Sequence, residues 1–99
     1  MRIVWLPRAQ RNLDDQVRYI AKQNPAAAME QDAIVADAVT RLADFPQSGR
    51  PGRQMRTREL VIPGTSFIAV YRIIASRQEI HIIRLVHARQ KYPPSPQSE

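Results

Sequence analysis

The chain has 99 residues, no cysteine and a formal net charge of +6. That length bounds it to one domain with a single core between two layers, and the missing thiols exclude disulfides and Cys-based zinc sites. The charge excess sits wholly in the second half: residues 1–49 carry six basic and six acidic side chains, residues 50–99 nine and three.

Thirteen of the fifteen cations are Arg, whose planar fork suits carboxylates and phosphates better than a Lys point charge does. The second half therefore reads either as a solvated basic face or as a surface for a polyanion or an acidic peptide. His81 and His87 lack the neighbours a metal site needs, so neither metal nor other cofactor is expected. The N-terminal MRIVWLPRAQ has no long apolar run, so a soluble cytoplasmic protein with no signal peptide or membrane span is expected.

Arg2–Leu6, with β-branched Ile3 and Val4, predicts a strand. Pro7 suits the first position of a helix, and Ala9, Leu13, Val17 and Ile20 then recur at helical spacing. Asn24-Pro25 ends that helix and opens a second, with Asn24 as cap and Pro25 in the first turn. Ile34, Ala38, Val39, Leu42 and Phe45 form its apolar stripe up to Phe45-Pro46. The short connection makes the pair an antiparallel hairpin.

Residues 47–55 read as a loop rich in Gly, Pro, Ser and Arg. Thr57–Ile62 predicts a strand, and Ile62-Pro63-Gly64-Thr65 has the centre of a type II turn. Phe67–Ala75 and Glu79–His87 are long β-branched runs joined around Ser76–Gln78, a second hairpin of central strands. Tyr92-Pro93-Pro94-Ser95-Pro96 cannot continue a sheet. The expectation is one α+β domain over residues 1–93, β-α-α-β-β-β, with a helical hairpin on a mainly antiparallel sheet and a flexible tail over 94–99.

Four stretches carry more than pattern: LDDQVRYIAKQNP in the first helix, GRPGR in the loop, TRELVIPGTSFIAVYR in the hairpin and IIRLVHARQKYP at the end. Over about Val4 to Pro93 the chain resembles the RelE/ParE family of bacterial toxins, and the last two stretches resemble the ParE branch. The resemblance implies a toxin held in a hetero-oligomer with a cognate antitoxin, with DNA gyrase as target and binding as its mode of action. The RelE branch instead implies ribosome-dependent mRNA cleavage, and a non-toxic antitoxin-binding member is a third reading.

The RelE branch places an Arg before the aliphatic-Val-Tyr end of the core strand, and here Ile68 stands there, which neither binds phosphate nor moves a proton. A nuclease site would have to come from Arg58, His87, Arg89 and Tyr92. Under the gyrase reading, Arg84, His87, Arg89, Gln90, Lys91 and Tyr92 are the target-binding candidates. Arg50, Arg53, Arg56, Arg58 and Arg72 are the candidates for an acidic antitoxin that lays a helix in a groove and adds a strand to a sheet edge.

Each has an ordinary explanation. His87 at a strand end reads as a hydrogen-bonded structural residue, His81 as a surface residue, and Arg50, Arg53 and Arg56 as loop solubilisers. Arg72 and Arg84 interrupt apolar strands, with Glu59 as the internal partner that would let them brace the sheet. Trp5, Tyr19 and Tyr71 read as core or half-buried packing.

Overall fold

The computed structural model describes residues 1–88. Arg89, Gln90, Lys91, Tyr92 and the tail expected over 94–99 lie outside the described residues.

β1 (Arg2–Trp5) leads directly into α1 (Pro7–Ala21), where Pro7 takes the first helical position because its fixed φ suits a helix start and its missing N–H would have no partner there. Asn24 caps α2 (Pro25–Thr40): its Oδ1 accepts the Ala27 N–H at 3.1 Å, satisfying one of the donors a helix start leaves open. α2 was expected to reach Phe45, but the chain tightens at Arg41–Ala43 into a 3₁₀ turn. The Asp44 and Phe45 N–H groups both donate to the Arg41 carbonyl, and Pro46 has no N–H with which to continue. Phe45 consequently swings out, 64% exposed, instead of completing the core stripe.

The sheet has five strands in the order β1-β5-β4-β3-β2. β2 (Arg50–Pro51), β3 (Arg58–Val61), β4 (Phe67–Ile74) and β5 (Glu79–His87) are antiparallel neighbours, whereas edge strand β1 runs parallel to β5. β2 interrupts the stretch expected as loop, pairing Arg50 with Glu59 and Pro51 with Arg58. At the β3–β4 turn the Thr65 N–H reaches the Ile62 carbonyl at 3.2 Å and Gly64 has φ 82°, the left-handed position that a type II turn reserves for glycine. The β4–β5 hairpin closes through Ala75–Arg77, with Gln78 at φ 53°.

The register of β4 and β5 slips once, between Val70↔Arg84 and Tyr71↔Ile82. Ile83 is the extra residue of this bulge. The slip keeps Ile82 and Leu85 on the same face despite their odd spacing. That face carries the core: Ala9 and Leu13 of α1, Val35 and Val39 of α2, and Leu42 meet Phe67, Ala69, Tyr71, Ile80, Ile82 and Leu85. Full burial of a side chain such as Leu42 or Ile82 contributes about 1.5–3 kcal/mol. Alternation along the strands puts Ile68, Val70 and Val86, a smaller buried cluster, on the opposite face together with Arg72, Arg84, Glu59, Glu79 and His81. No helix among the described residues is long and apolar enough to cross a membrane.

Candidate binding surfaces

Glu59 organises the basic loop. Its carboxylate, 2% exposed, pairs with Arg50 at 3.2 Å and Arg53 at 3.6 Å, and accepts the Arg53 backbone N–H at 2.9 Å. A buried carboxylate needs such compensation, and here it pins two guanidinium groups at the β2–β3 end of the sheet. The internal partner expected for Arg72 and Arg84 is therefore the anchor of Arg50 and Arg53. Gly52 lies close enough to Thr57 that an added Cβ would meet its Oγ1 at 2.1 Å, and the Gly52 N–H donates to the Thr57 carbonyl at 2.7 Å.

Arg58 points to the helix side, as its pairing with Tyr71 dictates. Its Nε donates to the Gly49 carbonyl at 3.0 Å and its Nη2 to the Gln47 carbonyl at 3.1 Å. These donors fasten the loop after α2. Arg56 is held at φ 63°, an uncommon conformation for a residue with a side chain, and its carbonyl accepts Arg72 Nε at 3.4 Å. The five candidate antitoxin-binding arginines thus converge on one end of the sheet, with Arg50, Arg53 and Arg58 also bracing it.

A second surface lies across the chain at Phe45. Together with Ala38 of α2, Arg41 of the 3₁₀ turn, Ser48, Leu60 and Val61 of β3 and Pro63, it lines a cavity of about 420 Å³. Val61 and Phe45 are both exposed.

The far end of β5 holds His87. Its Nδ1 lies 3.2 Å from the Ser66 hydroxyl, its Nε2 lies 3.2 Å from Gln16 Oε1, and its ring sits 5.1 Å from that of Phe67. A ring protonated on Nε2 donates to Gln16 and accepts from Ser66, which ties β5 to α1 and to the β3–β4 turn. Asn12, Asp15, Gln16 and Tyr19 of α1 complete an opening of about 300 Å³ there. Tyr19, expected as packing, is 65% exposed at its rim. Arg84 is half-buried on the other face of the sheet, opposite Val70. Arg58 lines a cavity at the opposite end of the hairpin from His87, so these two members of the expected nuclease set do not converge. Ile68, at the position where a phosphate-holding Arg would be needed, is 3% exposed and packs with Val70 and Val86.

The family model "ParE toxin of type II toxin-antitoxin system, parDE" matches residues 3–92. This chain belongs to the ParE toxin family. A "Putative toxin Y4kP" of Sinorhizobium fredii (strain NBRC 101917 / NGR234) is 44% identical over 92 residues, 93% of each chain. The fold has a solved counterpart in a chain of the "Chromosomal ParDE TA system from P. aeruginosa", with TM-score 0.78 over 88% of this chain and 95% of that one at 23% identity.

One cluster of this ParE-family chain escaped the sequence reading. Glu79, buried at the start of β5, pairs with Arg2 of β1 and lies 2.9 Å from His81 Nε2. The hydrogen bond from His81, followed by that from Arg2, holds the Glu79 carboxyl below the usual carboxylate value. His81 is therefore half-buried and tied down where a surface residue was expected. The available signal was the spacing Glu-Ile-His: two polar residues at i and i+2 of a strand share a face. Among the described residues no group of three His, Asp or Glu side chains is placed to hold a metal ion.

Proposed function

We propose that this ParE-family chain is the toxin of a two-component module, that it arrests growth by binding DNA gyrase, and that an antitoxin silences it. The observation carrying the binding mode is the state of the nuclease candidates. Both His87 ring nitrogens face partners within the fold, Arg58 spends donors on loop carbonyls, and Ile68 offers only hydrocarbon inside an apolar cluster. Ribose activation, phosphate clamping and leaving-group protonation each need a free polar group aimed at one point. That arrangement favours binding over RNA cleavage.

The antitoxin half of the reading draws on two surfaces. The apolar cavity beside Phe45 and Val61 has the character of a groove that accepts an amphipathic helix. The arginines gathered at the β2–β3 end favour an acidic partner and accelerate its encounter.

Purified gyrase titrated with this protein, with and without its antitoxin, tests the proposal. Loss of supercoiling or accumulation of cleaved DNA, reversed by the antitoxin, is the expected result. Unaffected gyrase, from a preparation that still arrests growth, would transfer the target to the ribosome and its mRNA.

A further inference from the structure

Ion pairing divides the arginines into two groups. Arg2 pairs with Glu79, Arg18 with Asp15 and Arg41 with Asp37, while Arg50 and Arg53 share Glu59. Arg56, Arg58, Arg72 and Arg77 have no carboxylate partner among the described residues. These four stand at one end of the sheet. Arg58 opens β3 opposite Tyr71, Arg72 follows Tyr71 on β4, Arg56 precedes β3, and Arg77 lies in the turn from β4 to β5. Arg8 and Arg11, also outside those ion pairs, share α1 with Asp14 and Asp15.

Arg56, Arg58, Arg72 and Ser76 line a notch of about 500 Å³, with Ile73 and Ile74 supplying its apolar part. The carboxylates of the neighbouring strands are already engaged, Glu59 by Arg50 and Arg53, Glu79 by Arg2 and His81. Arg58 is committed to the Gly49 and Gln47 carbonyls. Arg72 uses only its Nε, on the Arg56 carbonyl at 3.4 Å. The Arg56 and Arg77 guanidinium groups and the Ser76 hydroxyl donate to no described residue. Like charges gathered without compensation raise the local concentration of anions.

We propose that this end of the sheet is a site for the phosphate backbone of duplex DNA, held by Arg56, Arg72 and Arg77 with the Ser76 hydroxyl. The side chains lining the notch offer donors but no carboxylate or amide acceptor, which suits phosphodiester oxygens, since these only accept. A peptide would bring N–H groups that also need partners. The planar fork of Arg matches phosphate bidentately, and Ser hydroxyls donate to phosphate as well. Among the described residues no aromatic side chain lines the notch. Single strands are held largely by stacking bases on such rings, so an unstacked strand loses its main contact here, whereas a duplex loses nothing. Backbone contacts of this kind position the protein without reading sequence. Gyrase works on duplex DNA, so the inference deepens the gyrase reading, yet a free duplex tests it apart from that enzyme.

The test uses the full chain and short duplexes of two unrelated sequences, with binding followed by fluorescence anisotropy over a series of salt concentrations. Equal affinity for the two duplexes is expected, with a log–log salt slope of roughly −3, about −0.9 for each of three phosphates neutralised. Arg56→Gln with Arg72→Gln, both on exposed side chains, should make the slope shallower by about two and lower the affinity about tenfold or more. Arg77→Gln alone should change the slope by about one. Arg8→Gln with Arg11→Gln removes the same charge from α1 and should leave slope and affinity largely unchanged. An equal loss in that charge-matched chain would reduce the effect to net charge and overturn the site. Absent duplex binding, or tighter binding of a poly-glutamate peptide or of oligothymidine, would overturn the duplex assignment. Duplex binding that follows these variants while gyrase is unaffected would support the site and remove only the gyrase reading. Gyrase inhibited by a chain that does not bind duplex would remove only this inference.

Discussion

The Tyr71 hydroxyl accepts the Gly49 N–H at 2.9 Å and donates to the Pro46 carbonyl at 2.7 Å. One buried side chain thereby satisfies both a donor and an acceptor of the loop that links the helical layer to β2. Gly49 comes so close that a Cβ there would lie 2.7 Å from the ring and the hydroxyl. Tyr71→Phe keeps the packing but strands both loop groups, and a buried unsatisfied polar group costs about 1–3 kcal/mol. Urea denaturation should show a loss of that order with an unchanged m-value. A loss below a few tenths would mean that water replaces the hydroxyl.

Glu59 is expected to matter as much for loop order as for stability. Glu59→Ala removes the acceptor of the Arg53 N–H and the shared anchor of Arg50 and Arg53. Arg50 is half in water and recovers solvation, so the loss should stay near about 1–3 kcal/mol and below the cost of orphaning a fully buried charge. Hydrogen exchange at Arg53 should accelerate markedly in the variant. An unchanged exchange rate there would show that the β2–β3 pairing alone holds the loop.

The fold was legible because its signals were local. Pro7, Asn24-Pro25 and Pro63-Gly64 each act through their own backbone and mark element ends whatever the tertiary setting. The bulge at Ile83 and the two-residue β2 were not legible, since each depends on which strand lies alongside. The site was harder for the same reason. Arg58 looks like a phosphate ligand until the carbonyls of Gln47 and Gly49 are placed beside it, and His81 looks solvated until the parallel pairing of β1 brings Arg2 to Glu79. Such contacts join residues far apart in the chain, and residue type gives no hint of them.

Stability should fall on acidification through Glu79. Its carboxyl is held below the ordinary value by His81 first and Arg2 second, so the folded state binds its proton less readily than the unfolded chain. The stabilisation is then fully present above the unfolded carboxylate range and is lost as pH falls through the folded value. Glu79→Gln should flatten this part of the pH profile of thermal unfolding. An identical acid slope in the variant would assign the dependence to other carboxylates.

His87 separates the binding reading from the nuclease reading most directly. In the fold it ties β5 to Gln16 on α1 and to Ser66 at the turn. His87→Ala should cost about 1 kcal/mol for the lost hydrogen bonds, and His87→Gln, which retains a donor and an acceptor, should cost less. A binding toxin keeps its growth arrest in His87→Gln, because an amide can reproduce the surface shape and part of the network. A nuclease loses it in both variants, because neither amide nor methyl exchanges a proton near neutral pH. Growth assays alongside mapping of mRNA ends in expressing cells distinguish the two. Arrest abolished in a His87→Gln chain that is folded and still binds its antitoxin, together with loss of codon-positioned cuts seen with the parent, would establish the histidine as a catalyst.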